Sequence, residues 1–172
     1  VMPWELDKWP EEYSEYLEYL DEIWTPSNFC ANAFKNLRTT VRTVRYPVQT
    51  LTFGEVNRSD FLLPTSDILI LFAFDANSWE SRKNPGALIG VYEELRKKYG
   101  DLKLVLKIVN YDREIHKGLA NKLEAIDDVY IITKELKKVE VLKLIKCCDM
   151  FVSLHRSEGF GRLIAEAFLL SK

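Results

Sequence analysis

The chain has 172 residues, 47% of them hydrophobic and 12% aromatic, with a formal net charge of -2; this is long and apolar enough for a packed domain and excludes a disordered segment. Its Lys and Arg are spread evenly among Asp and Glu, so no broad positive field exists for a nucleic-acid polymer, whereas a small phosphorylated ligand needs only one or two local cations. Cys30, Cys147 and Cys148 show no CxxC spacing, and His116 and His155 stand far apart in sequence, which gives no disulfide framework and no metal-ligand cluster.

In chain order, the opening residues lack the basic and apolar regions of a signal peptide, and no apolar run reaches the roughly 18 residues of a membrane span; a cytoplasmic location is expected. Trp4, Trp9, Tyr13, Tyr16 and Tyr19 predict a helix feeding a strand in DEIWTPS. Ser27 is placed to cap a helix running to about Leu37, its hydroxyl accepting a bond from a first-turn amide. VRTVRYPV alternates as a strand or an extended connector ending near Pro47. From Gln49 to Ser66 the pattern is weak, and this stretch is the candidate linker.

After Ser66 the order becomes regular. ILILFAF is a continuous apolar run suited to a parallel strand buried on both faces. A helix follows, with Asn84 as cap, Pro85 in its first turn, Leu88, Tyr92 and Leu95 along one face and Gly100 closing its end. LKLVLKIVN is the second strand, about Arg113 to Ala125 a weaker helix, and DVYIIT the third strand. VEVLKLIKCC is a short helix, DMFVSL the fourth strand and GFGRLIAEAFLL the last helix. This alternation predicts an α/β fold: a Rossmann-like parallel sheet with helices on both faces. The last helix runs to within two residues of Lys172 without a Gly or Pro stop, and a cut C-terminus is expected.

Ligands of such sheets bind beyond the carboxyl ends of the strands, which selects DANSWESRKNP, the region from Lys107 to Arg113, and HRSEGFG. In HRSEGFG, Gly159 and Gly161 lie where a strand turns into a helix, so backbone amides and the positive end of a helix dipole can meet a diphosphate. Glu158 and Glu166 flank this place; eight residues of helix rise about 12 Å, comparable to the reach of a nucleotide sugar. One carboxylate would hold sugar hydroxyls and the other the ribose. A glycine pair also serves close packing, and a helical Glu is usually solvated, but Glu166 lies between Ala165 and Ala167 in LIAEAFLL, where a carboxylate is costly without a partner. Arg82 and Lys83 could neutralise a leaving diphosphate or decorate a helix start. Lys107 interrupts LVLKIV, so it either snorkels from a sheet edge or points at an anion in the cleft.

Glu158, Gly159, Phe160, Gly161 and Glu166 together resemble the E-x7-E signature of the retaining, group 1 glycosyltransferases with the GT-B fold. The resemblance extends to ELDKWPEEYSEYLEYLDEIWTPSNF, similar to the end of the acceptor-side domain in a bacterial polysaccharide-building branch, and to FAFDANSWESRKNP and FVSLHRSEGFG, similar to its donor-domain loops. It implies residues 1–48 as the end of the acceptor-side domain, 49–66 as interdomain linker and 67–172 as a nucleotide-sugar donor-binding domain truncated at the C-terminus. Transfer would retain anomeric configuration and need neither metal nor cofactor. Glu158 would contact the donor sugar, Glu166 the ribose, and the amides around Phe160 and Gly161 the donor, while Lys83 would stabilise the diphosphate leaving group.

Many members place an Arg several residues before the Lys and a Gly after it; here Arg82 directly precedes Lys83 and Asn84-Pro85 follow, which leaves the role of Arg82 open. The expected partners are a nucleotide-sugar donor and a glycan or glycolipid acceptor, with no nucleic acid and with peripheral membrane association only through parts outside this chain. The isolated fragment is expected to be inactive. Two other readings remain: a sugar-nucleotide epimerase of the same fold, and a non-catalytic nucleotide-sugar-binding partner in glycan assembly.

Overall fold

The computed structural model describes residues 1–49 and 51–172. They divide into two units, Val1–Val48 with Ser157–Arg162, and Gln49–Arg156 with Leu163–Lys172.

In the first unit, α1 (Ser14–Leu17) precedes a small β-α-β arrangement of β1 (Glu22–Thr25), α2 (Asn28–Ala33) and β2 (Thr40–Thr43), the two strands pairing in parallel from Glu22↔Thr40 to Thr25↔Thr43. The predicted cap of α2 forms: Ser27 Oγ accepts from the Cys30 N–H at 3.2 Å. The long opening helix does not. Only a 3-10 turn at Glu11–Tyr13 and the single turn of α1 are helical, because the amides ahead of them serve other elements: Met2 N–H donates to Trp24 O at 2.7 Å and Trp9 N–H to Ala33 O at 3.1 Å. The aromatic rings instead form a cluster of tilted rings, Trp4 against Trp9 at 4.7 Å and Trp9 against Phe34 at 5.2 Å between centroids, packed with buried Leu17 and Ile23. Helix α2 also ends before the expected Leu37, since Phe34 leaves the helical region to bury its ring.

The second unit is a four-stranded parallel sheet in the order β5-β4-β3-β6, formed by β3 (Ile68–Asp75), β4 (Leu102–Val109), β5 (Val129–Ile132) and β6 (Met150–Phe151). Strands β3 and β4 pair over their full length, Ile68↔Leu102 to Asp75↔Val109. Successive side chains of a strand point to opposite faces. Accordingly Ile70, Phe72 and Phe74 join Leu104, Leu106 and Ile108 under α4 (Pro85–Arg96) and α5 (Lys117–Glu124). Leu69, Leu71 and Val105 lie with Leu142, Leu144, Ile145, Ala167 and Leu170 of α6 (Lys138–Cys147) and the stretch that includes α7 (Arg162–Leu169). Helices thus cover both faces, which is why β3 reads as a continuous apolar run from Ile68 to Phe74.

Two details of α4 differ from expectation. Asn84 makes no side-chain cap; it takes a left-handed conformation (φ 55) between α3 (Glu80–Lys83) and α4 and donates Nδ2–H to Leu154 O at 3.1 Å. Gly100 does not close the helix, which stops at Arg96 as the amides of Lys98 and Tyr99 both fold back on Leu95 O. The pattern-poor stretch before β3 contains a 3-10 turn, Arg58–Phe61. There the Arg58 guanidinium donates to Asp67 O at 2.6 Å, Cys147 O at 3.0 Å and Asp149 Oδ2 at 2.7 Å, and the same carboxylate accepts from Leu69 N–H.

Candidate functional site

The sheet order reverses between β3 and β6: the chain builds β3, β4 and β5 in one direction and then returns to place β6 on the other side of β3. Such a reversal opens a crevice at the carboxyl ends of the two strands, because their following connections leave in opposite directions. In the second unit those connections are the segment after β3, carrying α3, and residues 152–156 after β6. They are tied together by the Arg156 N–H on Arg82 O at 2.9 Å and by the Asn84 side chain on Leu154 O. Lys83, at the end of α3, is only 7% exposed. His155 lies beside them with its ring edge-on to Phe72, 5.2 Å between centroids.

Lys107 belongs to a central strand, paired with Ala73 on one side and Ile132 on the other, so no sheet edge exists for it to snorkel from. It is 4% exposed. Its place in the alternation puts it on the face of Val105, and among the described residues Nζ–H donates to the Ile108 carbonyl, at 3.4 Å. Burial drives its pKa below the usual lysine value, with Glu135 acting in the opposite direction.

Glu166 is 2% exposed. Helix α6 starts where Glu140 Oε2 accepts the Lys137 N–H at 2.6 Å, and its first residue, Lys138, donates Nζ–H to Glu166 Oε1. The other carboxylate oxygen, Oε2, is buried and meets no donor among the described residues. The last helix was expected from Gly159, just after Glu158, and this is corrected: α7 begins at Arg162, so residues 159–161 are irregular backbone and eight residues of helical rise do not separate Glu158 from Glu166.

Glu158, Gly159, Phe160 and Gly161 fall in the first unit. The Gly159 carbonyl accepts from Ser27 Oγ–H and from Cys30 Sγ–H, the latter at 3.2 Å. A Cβ at Gly159 would stand 3.2 Å from Trp4 O and 3.3 Å from Cys30 Sγ, so the space freed by the absent side chain is filled by the protein itself. Gly161 has φ 72, a conformation L-residues adopt at a cost. The Phe160 ring meets Tyr46 edge-on at 5.6 Å, and Glu158 is half-buried.

Sequence reasoning selected Lys83, Arg82, Lys107 and Glu166 but missed Lys138, Ser27 and Cys30 as the residues that hold the others. Lys138 is one lysine among several in KELKKVEVLKLIK, and nothing in that run marks which one turns inward. Cys30 had a signal, a lone thiol on the apolar face of a capped helix. Among the described residues no group of His, Cys, Asp and Glu is arranged to hold a metal ion, and no helix is long and apolar enough to cross a membrane.

No sequence profile of a protein family matches the chain, and no curated protein matches it in sequence. Solved structures do. The apo structure of OtsA, a trehalose-6-phosphate synthase, aligns with a TM-score of 0.69 at 13% identity, over 93% of this chain and 45% of its own. TarM of S. aureus, solved with fondaparinux, alpha-GlcNAc-glycerol and UDP, gives 0.66 at 14% identity, over 94% of this chain and 31% of its own. The pneumococcal O-GlcNAc transferase GtfA, in complex with UDP and GlcNAc, gives 0.62 at 12% identity, over 93% and 30%. The chain spans less than half the length of each. At these identities the likeness is one of fold: mixed α/β with parallel sheets flanked by helices, as in GT-B glycosyltransferases.

Proposed function

We propose that the chain supplies the donor-binding part of a retaining glycosyltransferase that takes a sugar from a uridine-diphosphate sugar and passes it to a glycan or glycolipid hydroxyl. The observation that carries this reading is the buried residue Lys83 in the segment that follows β3, the strand at which the sheet order reverses. Its support is the fold shared with transferases solved with UDP.

In this reading the bond between the anomeric carbon and the β-phosphate oxygen breaks while the acceptor oxygen bonds to that carbon, and the acceptor proton leaves with the diphosphate. Negative charge grows on the diphosphate during this step, so a cation already in place and already desolvated lowers the barrier. Lys83 is assigned that role and Arg82 a lesser share of it. Glu158 accepts from donor-sugar hydroxyls, the amides at Phe160 and Gly161 approach the phosphates, Glu166 accepts from the ribose, and Lys107 faces the anion from the sheet. The expected setting is the cytoplasm, at the membrane face where a glycolipid is the acceptor.

The test has two stages. Calorimetry on the 172-residue chain is expected to show binding of uridine diphosphate; no binding of the uridine, guanosine or adenosine diphosphate would remove the reading. In the full-length protein, Lys83→Ala is expected to lower kcat by about 100-fold or more with donor KM little changed, the signature of a contact strengthened in the transition state. Donor binding with Lys83→Ala neutral would mark a non-catalytic nucleotide-sugar binder, and damage from Arg82→Ala alone would move the cation by one residue.

A further inference from the structure

Glu166 is a carboxylate that the fold buries and then serves on one side only. A carboxylate offers about four acceptor positions and donates nothing, and burying it is costly unless a charge and hydrogen bonds compensate. Here Oε1 accepts from Lys138 Nζ, while Oε2 is buried and without a donor among the described residues. The two elements that bring them together are fixed independently: α6 through Leu142, Leu144 and Ile145, and the stretch around Glu166 through Ala167 and Leu170, all in one apolar cluster on the same sheet face. The Lys138 side chain is 45% exposed. Its stem therefore reaches from the surface to a buried acid rather than the acid reaching out to water.

We infer that Lys138 is a positioning residue for nucleotide recognition: it compensates the charge of Glu166 and fixes its rotamer so that the open oxygen accepts from the vicinal hydroxyls of a ribose. This rests on the donor-binding reading above, and it adds a residue that touches no part of the nucleotide. A bidentate partner such as Arg on both oxygens would have closed the carboxylate. A single ammonium on Oε1 leaves Oε2 for hydroxyl donors, and two neighbouring hydroxyls match the acceptor positions that remain.

The test compares uridine diphosphate with 2′,3′-dideoxyuridine diphosphate, which keeps the base and both phosphates and lacks the diol, by calorimetry on the full chain. The wild type is expected to prefer the ribonucleotide about tenfold or more, the loss expected when hydrogen bonds to a charged acceptor are removed. Lys138→Met is expected to lower uridine diphosphate affinity about tenfold, leave the dideoxy affinity unchanged, and so erase the preference; Lys138→Arg, whose fork can close both oxygens, should erase it as well. In a Glu166→Gln background, Lys138→Met should change neither affinity. If both ligands weaken equally in Lys138→Met, the ammonium acts on the phosphates and the inference falls. It falls too if Lys138→Met binds the ribonucleotide as the wild type does. Wild-type chain that binds neither ligand would remove the donor-binding reading itself, a distinct result. Should Lys138→Met fail to fold by circular dichroism, Lys138→Arg decides alone: a lost ribose preference with unchanged dideoxy affinity in a folded Arg variant supports strict positioning by the single ammonium, and a wild-type preference or a changed dideoxy affinity in it overturns the inference.

Discussion

In the sheet unit, six consecutive residues of β3, Leu69 to Phe74, are buried, whereas in the other unit β1 buries alternate residues and β2 buries none fully. The first arrangement is assembled by apolar area on two faces. The second is held by a cluster of tilted aromatic rings around Trp9 and by polar side chains on backbone carbonyls: Cys30 on Trp4 O at 2.9 Å, Thr39 on Leu17 O at 2.9 Å, and Ser27 on Gly159 O. Parallel pairing is common to both; what differs is whether pattern or individual bonds supply the order. Non-directional burial tolerates exchange among apolar residues of similar volume, and directional bonds do not.

The largest expected effect tests the contrast directly. Leu71→Ala, at a fully buried position in the cluster with Leu142 and Ala167, is expected to cost about 2 to 5 kcal/mol, since the sheet cannot collapse into the space left. Val41→Ala in half-buried β2 should cost about 1 kcal/mol or less. Urea unfolding followed by circular dichroism measures both, and equal losses would erase the distinction between the two strand pairs.

A smaller effect sharpens it, because the sheet unit also contains one place where bonds replace pattern. Arg58 ties the turn Arg58–Phe61 to the amino ends of β3 and β6 through Asp67 O and Asp149. Arg58→Ala is expected to cost about 1.5 to 3 kcal/mol, the range for hydrogen bonds to a charged group, and Arg58→Lys should recover little because a compact ammonium cannot reach the separated acceptors Cys147 O, Asp67 O and Asp149 that the guanidinium fork spans. A neutral Arg58→Ala in the same unfolding assay would mean that the turn is held by Phe61 and Leu63 packing alone.

How far the molecule could be read from its sequence follows the same division. The strands of the larger sheet and α4, α5 and α6 were legible, since Leu69, Leu71 and Val105 on one face and Phe72, Leu104 and Leu106 on the other imprint apolar runs, whereas the single turn α3 was read as loop. The opening helix was misread because Trp9 and Tyr13 recur at helical spacing while the amides of Met2 and Trp9 bond to distant carbonyls, which no local pattern records. Of the candidate site, Lys107 and Glu166 were legible as charges inside apolar runs. Lys138 was not, because its inward turn is set by where α6 lies on the sheet. The absence of a Cβ at Gly159 was legible, but its neighbours Trp4 and Cys30 come from 155 and 129 residues away in roughly the sense that only tertiary structure can specify.

The smallest effect concerns the exception within the apolar unit. Lys107 is a buried cation among the apolar residues Val105, Leu106 and Ile108 of a central strand, with a carbonyl at 3.4 Å as its bond and Glu135 as an opposing charge. Its pKa is lowered, first by burial, so the folded protein favours the neutral amine relative to the unfolded chain. Below the lowered value both states carry the proton and the full penalty of a buried charge applies. Between that value and the ordinary lysine pKa of about 10.4 the unfolded chain binds more protons, so stability rises with pH, and above it the penalty is gone. Lys107→Met keeps the volume and removes the charge; it should raise stability by about 1 kcal/mol at neutral pH, and the gap between variant and wild type should narrow as pH climbs through that window. Lys103 and Lys97 shift upward instead, through Asp128 and Glu94, but both are present in each protein and cancel in the difference. The same variant is expected to bind uridine diphosphate about tenfold more weakly, a gain in stability against a loss in binding that identifies a charge kept for a ligand. A variant that gains stability and binds unchanged would show that the strand merely tolerates its lysine, and one that loses stability at neutral pH would show that the Glu135 charge outweighs the burial.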